Sequence, residues 1–172
     1  MYGKLLSPAK FGPWDLTSHV VMPPLTRNRA EADWSPNDAA PEYYRQRNTA
    51  GLVICEATQG SPDASGYPRT PGIWNDKHTA KWHEVVDAIH AGGAKAVIQL
   101  WHCGRIAHPD NQPEGCFPMG PSAVQPGLPI YTDKAGDVVE NPVPREMTEA
   151  DILGVIESYR KACEHAKSAG FD

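Results

Sequence analysis

Uncharged polar side chains accompany three apolar runs of this chain, each near the point where the run ends. The first run leads into Thr26, the second into Thr58 and Gln59, and the third carries Gln99. Because the carboxyl ends of parallel strands meet at one edge of a sheet, these groups would lie close together there. Buried polar groups need hydrogen-bond partners, and a ligand with its own donors and acceptors would supply them. Bonds from Thr26 and Gln99 to nearby backbone are the alternative, and the residues leave both open.

Cysteine and histidine side chains occur close together in sequence at Cys103, His108 and Cys116. Their spacing fits no standard zinc site, and a fourth ligand is not evident. Cys103 is also a candidate nucleophile, but nothing in the sequence indicates a lowered thiol pKa, so an ordinary loop thiol is favoured. We therefore predict no metal site. The chain also lacks the glycine-rich nucleotide motifs and the G-x-S-x-G motif of hydrolases.

The apolar runs themselves predict three parallel strands that position the polar groups. The second is a short continuous run of the fully buried kind, and prolines end the first. A fourth strand is predicted to begin at 170–172. The three strands lie near residues 19–25, 51–58 and 94–101. We expect them to be neighbours in chain order.

A helix is predicted after each strand. The clearest opens at Asn75 and is stopped by Gly92, and Thr148 with Asp151 resembles a capping box before the last one. The apolar face of the clearest helix consists of Trp82, Val85, Val86 and Ile89. The apolar stripe of the last helix consists of Ile152, Val155, Ile156, Tyr159, Cys163 and Ala166.

The remaining local signals are weaker. A first helix is predicted from a cap within residues 35–38 to about Asn48. Glycine-containing turns predict hairpins over residues 9–17 and around 134–137. The rest of residues 102–147 reads as a long ordered loop, because its many prolines exclude regular helix or sheet.

Composition limits the class of protein. The 172 residues suit one domain, and 40% hydrophobic with 22% charged residues is ordinary for a globular protein. The net charge of −5 argues against nucleic acid or an anionic membrane as a partner. Neither a membrane span nor a signal peptide is evident, and the four scattered cysteines read as free thiols. These features predict a cytoplasmic protein.

The predicted elements make an incomplete α/β fold. Repeated strand–helix units require a parallel sheet with both faces covered. A sheet of only three such strands leaves an apolar edge exposed, which promotes aggregation. Either this fold is small and open, or a second polypeptide or another copy of the chain completes it.

Several strings resemble those of one enzyme family, in the same order and over nearly the whole chain. They are Met22-Pro-Pro-Leu-Thr-Arg-Asn-Arg29, Glu56-Ala-Thr-Gln-Gly60, Ser65-Gly-Tyr-Pro-Arg-Thr-Pro-Gly-Ile-Trp74, Gln99-Leu-Trp-His-Cys-Gly-Arg105 and Gly120-Pro-Ser-Ala123. The family is that of old yellow enzyme, the FMN-dependent ene-reductases. The strings look like those of the bacterial branch that reduces enones, maleimides and nitrate esters. Thr26 argues against a thermophile-associated branch, which carries cysteine there.

The resemblance implies a partial (β/α)8 TIM barrel made of the first three βα units and an amino-terminal hairpin. Residues 1–172 would be the amino-terminal portion of a single flavin-binding domain. FMN would be the cofactor, NADPH the reductant and an activated alkene the substrate. The substrate-gripping His/His or His/Asn pair and the proton-donating tyrosine would lie past Asp172. The chain alone is therefore expected to be inactive and to need a polypeptide carrying the rest of the barrel.

By position, the resemblance also assigns roles to individual residues. Those placed at the flavin are Pro24, Leu25, Thr26, Ala57 and Gln99. The Thr26 hydroxyl would bond the O4 edge and tune the flavin potential, and Gln99 would bond the pyrimidine N3/O2 edge. Ala57 would lend its backbone to the pyrimidine side.

Tyr67 and Trp101 would line the substrate side, and no residue of this chain is assigned a catalytic role. Two other classes of protein remain open. One is a non-catalytic, self-associating half-barrel without flavin. The other is an enzyme without flavin on a similar scaffold, using His102, His108 or Cys103. Flavin colour in the purified protein separates the ene-reductase from both.

Overall fold

A three-stranded parallel sheet forms the centre of the computed structural model, which describes residues 2–172. Its strands are β3 (Val21–Met22), β4 (Leu52–Gln59) and β5 (Lys95–Trp101). The hairpin strands β1 (Ala9–Phe11) and β2 (Trp14–Leu16) precede them. β3 pairs with β4 and β4 with β5, all parallel. The prediction of three parallel strands in chain order is confirmed.

The first strand is much shorter than the predicted 19–25. Pro23 and Pro24 have no N–H to donate to a ladder, so pairing ends at Met22. Residues 23–30 belong to no strand or helix. The segment that carries the first candidate site residues is therefore irregular chain beyond the strand end.

Three helices cover one side of the sheet: α1 (Ala40–Arg45), α2 (Asp76–His90) and α3 (Glu149–Ser168). α2 begins as predicted, because the side-chain oxygen of Asn75 accepts the N–H of His78 at 2.9 Å. The predicted capping box of Thr148 and Asp151 is also present. The apolar face of α2 is buried in one core cluster that also contains Val53 and Cys55 of β4 and residues of the other two helices.

α1 differs from its prediction at both ends. Its N-cap is Ala39, which makes no side-chain capping bond, so the cap predicted within 35–38 is wrong. The Ser35 hydroxyl donates instead to Asp33 at 2.6 Å. Asn48 lies beyond the helix, and its side-chain amide donates to the Ala88 carbonyl of α2 at 2.9 Å. These tertiary bonds override the local capping signal.

The predicted long loop contains four short strands. β7 (Pro129–Thr132) and β8 (Asp137–Glu140) form the antiparallel hairpin expected around 134–137. β6 (Met119–Gly120) and β9 (Arg145–Glu146) pair in parallel, which the sequence did not indicate. Strands of this length have no readable periodicity, so only the tertiary fold defines them.

The predicted apolar stripe of α3 is only partly a core face. Ala166 is buried, as is its neighbour Ala162, but Ile152 and Ile156 are 49% and 60% exposed. Leu153 beside them is 60% exposed. Within residues 2–172, the first half of α3 therefore presents an uncovered apolar surface.

The predicted fourth strand at 170–172 is not formed, but the backbone there already lies along β5. The Asp172 N–H donates to the Ala96 carbonyl at 2.8 Å. The Asp172 carboxylate accepts the Ala96 N–H at 2.9 Å and the Lys95 ammonium at 2.6 Å. The chain is thus fixed at the position that a fourth parallel strand would occupy.

Candidate functional site

An open cavity of about 330 Å³ lies at the carboxyl ends of the strands. Its lining residues are Thr26, Asn28, Tyr67 and Trp101. The rings of Tyr67 and Trp101 stack, with centroids 5.6 Å apart. Three residues predicted for one site from separate segments, Thr26, Tyr67 and Trp101, therefore come together.

Gln99 lies on the same face of β5 as Trp101. Its neighbours Ile98 and Leu100 pack against the core on the helix side, and side chains alternate along a strand. The Gln99 side chain is exposed and makes no hydrogen bond to any residue within 2–172. Its amide is therefore available to a ligand.

Thr58 and Gln59 do not face a ligand, although the sequence grouped them with Thr26 and Gln99. The Gln59 amide donates to the Thr70 hydroxyl at 2.8 Å. The Thr58 hydroxyl donates to the Glu56 carbonyl at 2.8 Å. Both side chains thus bond nearby protein groups, although the buried Gln59 Oε1 has no partner among residues 2–172.

β4 contains a bulge at the level of the cavity. Cys55 pairs with Ile98 and Thr58 pairs with Leu100, so Glu56 and Ala57 together stand opposite Gln99. A bulge leaves ladder groups unpaired and redirects the strand. As a result, Ala57 and Gln99 face each other across the ladder, which is where the resemblance places them on one edge of the flavin.

Side chains satisfy the backbone of the bulge residue Glu56. Its N–H donates to the Tyr44 hydroxyl at 2.9 Å, and its carbonyl accepts the Thr58 hydroxyl. Tyr44 is buried, and burial raises the pKa of its hydroxyl well above the ordinary value, so it stays neutral. The bulge is thus held by specific bonds to α1 and to its own strand.

Glu56 also forms a buried ion pair with Arg27. The carboxylate accepts the Arg27 backbone N–H at 3.1 Å and Nε at 3.2 Å. The two side chains are only 13% (Arg27) and 6% (Glu56) exposed. Burial raises the pKa of the Glu56 carboxyl, and the Arg27 bonds oppose that rise. Sequence reasoning assigned no role to either residue, although both lie inside motif strings next to Thr26 and Ala57.

Within residues 2–172, the Cys103 thiol makes no hydrogen bond to His102 or His108, and each histidine instead lies near a carboxylate, Asp63 at 3.9 Å and Asp110 at 3.6 Å. Burial raises the pKa of the Cys103 thiol to about 12, so little thiolate forms near neutral pH. The rings of His102 and His108 accept backbone N–H groups of Gly104 and Asp110 at 3.0 and 3.1 Å. Across residues 2–172, His, Cys, Asp and Glu form no group of three or more that could hold a metal.

None of the helices within residues 2–172 combines the length and apolar character needed to cross a bilayer.

In sequence, residues 4–172 match the model of the NADH:flavin oxidoreductase / NADH oxidase family. The match extends over the sheet, the helices and the cavity.

Individual relatives agree with this match. The chain is 41% identical over 169 residues to 12-oxophytodienoate reductase 1 of Oryza sativa subsp. japonica, covering 98% of this chain and 43% of the relative. Morphinone reductase superposes with a TM-score of 0.91 at 42% identity, over 98% of this chain and 46% of that chain. The old yellow enzyme homologue from Zymomonas mobilis has the same TM-score at 37% identity, with 98% and 46% covered.

The chain thus spans less than half the length of the relatives it matches. Those relatives with solved structures are TIM barrels, and β3, β4 and β5 with their helices form part of such a barrel. The predicted partial barrel is confirmed. The chain belongs to the NADH:flavin oxidoreductase family of old yellow enzymes, of which it represents an amino-terminal portion.

Proposed function

We propose that this chain forms the FMN-facing portion of an NADPH-dependent ene-reductase that acts on activated alkenes. The substrate classes are enones, maleimides and nitrate esters. The observation that carries the proposal is the common cavity of Thr26, Tyr67 and Trp101 beside the free amide of Gln99. All four positions are those that the family motifs assign to flavin or substrate.

The residues present suit the isoalloxazine ring of FMN. This ring is apolar on its benzenoid side and carries donors and acceptors on its pyrimidine edge. Leu25 is 62% exposed and offers apolar surface, with Pro24 next to it. Gln99 offers an amide without a partner among residues 2–172, and the bulge aligns Ala57 opposite it. An apolar contact and a polar edge therefore occur on one side of the sheet.

FMN supplies hydride chemistry when bound, and the protein supplies orientation and electrostatics. In this proposal the Thr26 hydroxyl would hold the O4 edge of FMN, while Gln99 and the Ala57 backbone would hold its pyrimidine edge. The stacked pair Tyr67 and Trp101 forms a flat wall, which orients a planar alkene and excludes water. None of these residues transfers the proton that completes alkene reduction.

The missing functions require more polypeptide. A proton donor, a pair of side chains that grip the substrate and groups that hold the FMN phosphate are needed for turnover. We propose that a polypeptide carrying the rest of the barrel supplies them. The uncovered surface of Ile152, Leu153 and Ile156, and the alignment of Asp172 along β5, support docking of that polypeptide here. Self-association would cover this surface without adding those groups.

Complementation tests the proposal. The chain is combined with a polypeptide carrying the later barrel units, such as the carboxyl-terminal portion of morphinone reductase. We expect a yellow complex with FMN absorbance that reduces cyclohexenone with NADPH, while this chain alone with FMN is inactive. A well-folded complex that binds no FMN would overturn the proposal. A stable, colourless oligomer of this chain alone would favour the non-catalytic half-barrel.

A further inference from the structure

Every polar group of Glu56 has a hydrogen-bond partner, although its side chain is both charged and buried. Its N–H and carbonyl bond the hydroxyls of Tyr44 and Thr58. Its two carboxylate oxygens accept the Arg27 N–H and Nε, one each. A residue held at four points can move only if several elements move with it.

These bonds connect the two segments that would contact the flavin. Arg27 directly follows Thr26, and Glu56 directly precedes Ala57. The Arg27 backbone N–H is itself bonded to the carboxylate at 3.1 Å, so the cross-link reaches main chain on both sides. The separation between Thr26 and Ala57 is therefore set largely by one side chain.

α1 supports the cross-link from behind. The Arg27 guanidinium lies 3.5 Å from the centroid of the Tyr43 ring, and Arg47 lies 3.8 Å from the same ring. Tyr43 and Tyr44 pack edge to face with centroids 5.0 Å apart. The ion pair thus sits against a rigid aromatic pair, and neither partner is free to change rotamer.

Stability alone is a poor explanation for such a pair. Removing two charges from water costs about as much as their attraction returns, and an apolar pair of similar volume is often as stable. What an ion pair adds is fixed geometry, which a redox or binding site needs in its supporting residues. The location of the pair, between two cofactor-contacting segments, agrees with that use.

We propose that Glu56 is a positioning residue that holds Thr26 and Ala57 in register and thereby sets the reduction potential of the bound flavin. The inference rests on the proposed function. The Thr26 hydroxyl bonds an oxygen that becomes more electron-rich on reduction, so a well-placed bond favours the reduced state. A looser placement therefore makes the potential more negative.

The first test is Glu56→Gln in the FMN-loaded complex, with Glu42→Gln as the matched control. Glu42 also pairs with an arginine, Arg45. This ion pair is solvent exposed and lies on α1, outside the segments that carry the proposed flavin contacts. We expect Glu56→Gln to lower the preference for reduced over oxidised flavin roughly three- to tenfold, the effect of weakening one hydrogen bond. This corresponds to a potential about 15–30 mV more negative for a two-electron couple.

A second pair of variants covers the case in which Glu56→Gln does not fold. Thr58→Val removes the hydroxyl that bonds the Glu56 carbonyl and keeps the side-chain shape, whereas Thr58→Ser keeps the hydroxyl. We expect Thr58→Val to shift the potential in the same direction and Thr58→Ser to restore the wild-type value. A merely structural role would change the melting temperature in these variants without changing the potential.

The outcomes separate this inference from the proposed function. A wild-type complex without bound flavin would overturn both. A flavin-loaded wild type, with Glu56→Gln or Thr58→Val at the potential of Glu42→Gln, would overturn only the positioning role. A negative shift in Thr58→Val that Thr58→Ser reverses would support it.

Discussion

Tyr67 stacks on Trp101 with ring planes only 19° apart. This contact makes Tyr67 a wall of the cavity, and within residues 2–172 no base or acid partner orients its hydroxyl. We predict that Tyr67→Phe in the complemented enzyme lowers the turnover rate tenfold or less. That loss is below the roughly 10²–10⁴-fold contribution of a general acid. Steady-state kinetics with cyclohexenone measures it, with the exposed Tyr131→Phe as control. A loss within the general-acid range would make Tyr67 the proton donor instead.

Gln99→Ala should weaken FMN binding. The exposed amide has no partner among residues 2–172, so its expected partner is the flavin. We predict a loss of about 1–3 kcal/mol in binding free energy, the usual cost of leaving a buried polar group unpaired. Titration followed by flavin fluorescence gives the affinity. Gln46→Ala, at the exposed C-cap of α1, should leave it unchanged. Equal affinities for both variants would show that Gln99 is misplaced.

Thr26→Ala should change flavin potential more than flavin affinity. A hydroxyl on the O4 edge discriminates between the oxidised and reduced states, whereas Gln99 contacts both similarly. Redox titration of the complex measures the potential, and fluorescence titration measures the affinity. The exposed Thr49→Ala serves as control. A Thr26→Ala variant with weak FMN binding at unchanged potential would contradict the assignment.

Cys103 should resist alkylation although it lies in a loop. Burial raises its pKa to about 12, so the reactive thiolate fraction is very small at pH 8. The exposed Cys163 should react first with iodoacetamide. Peptide mass spectrometry after a short exposure identifies the modified residue. Rapid labelling of Cys103 in the folded protein would contradict this prediction and make Cys103 a candidate nucleophile again.

Asp172 should stabilise the fold in a pH-dependent way. Burial opposes ionisation, but bonds from Lys95, Ala96 and His90 hold the pKa of its carboxyl below the ordinary 3.8. Because the folded-state pKa is lowered, the stabilisation is present above pH 3.8 and is lost as pH falls through the folded value. Urea unfolding should show Asp172→Asn less stable by about 1–2 kcal/mol at pH 7.

The difference between Asp172→Asn and wild type should shrink in acid, because protonation removes the same charge from the wild type. Asp15→Asn is the matched control, since Asp15 pairs with Lys10 at an exposed site. A constant difference between pH 7 and acid would mean that Asp172 acts through packing.

The sequence predicted the elements whose determinants are local. A few adjacent residues suffice to predict the asparagine cap and apolar face of α2, the capping box of α3 and the buried run of β4. The cap of α1 was wrong because Asp33, outside the predicted window, binds Ser35. The apolar stripe of α3 was only partly a core face, because Ile152 and Ile156 are exposed and no element within residues 2–172 covers them.

The site was predicted less completely than the fold. Motif resemblance identified Thr26, Tyr67 and Trp101, which the structure brings into one cavity. It gave no role to Glu56 and Arg27, because a bulge depends on how a strand pairs with its neighbour. Hydrophobic periodicity within one strand carries no such information. The switch from odd to even core-facing positions between Cys55 and Thr58 would be the only local signal of the bulge.

The bulge in β4 changes which positions of the strand face the helices. Before it, Val53 and Cys55 point toward the helices, and after it Thr58 takes that side, so odd positions give way to even ones. Deleting one residue between Cys55 and Thr58 would restore an unbroken ladder with Thr58 still paired to Leu100, and it would remove the extra residue that places Ala57 opposite Gln99. The spacing of this segment, more than its composition, is therefore what a redesigned flavin site on this scaffold has to keep.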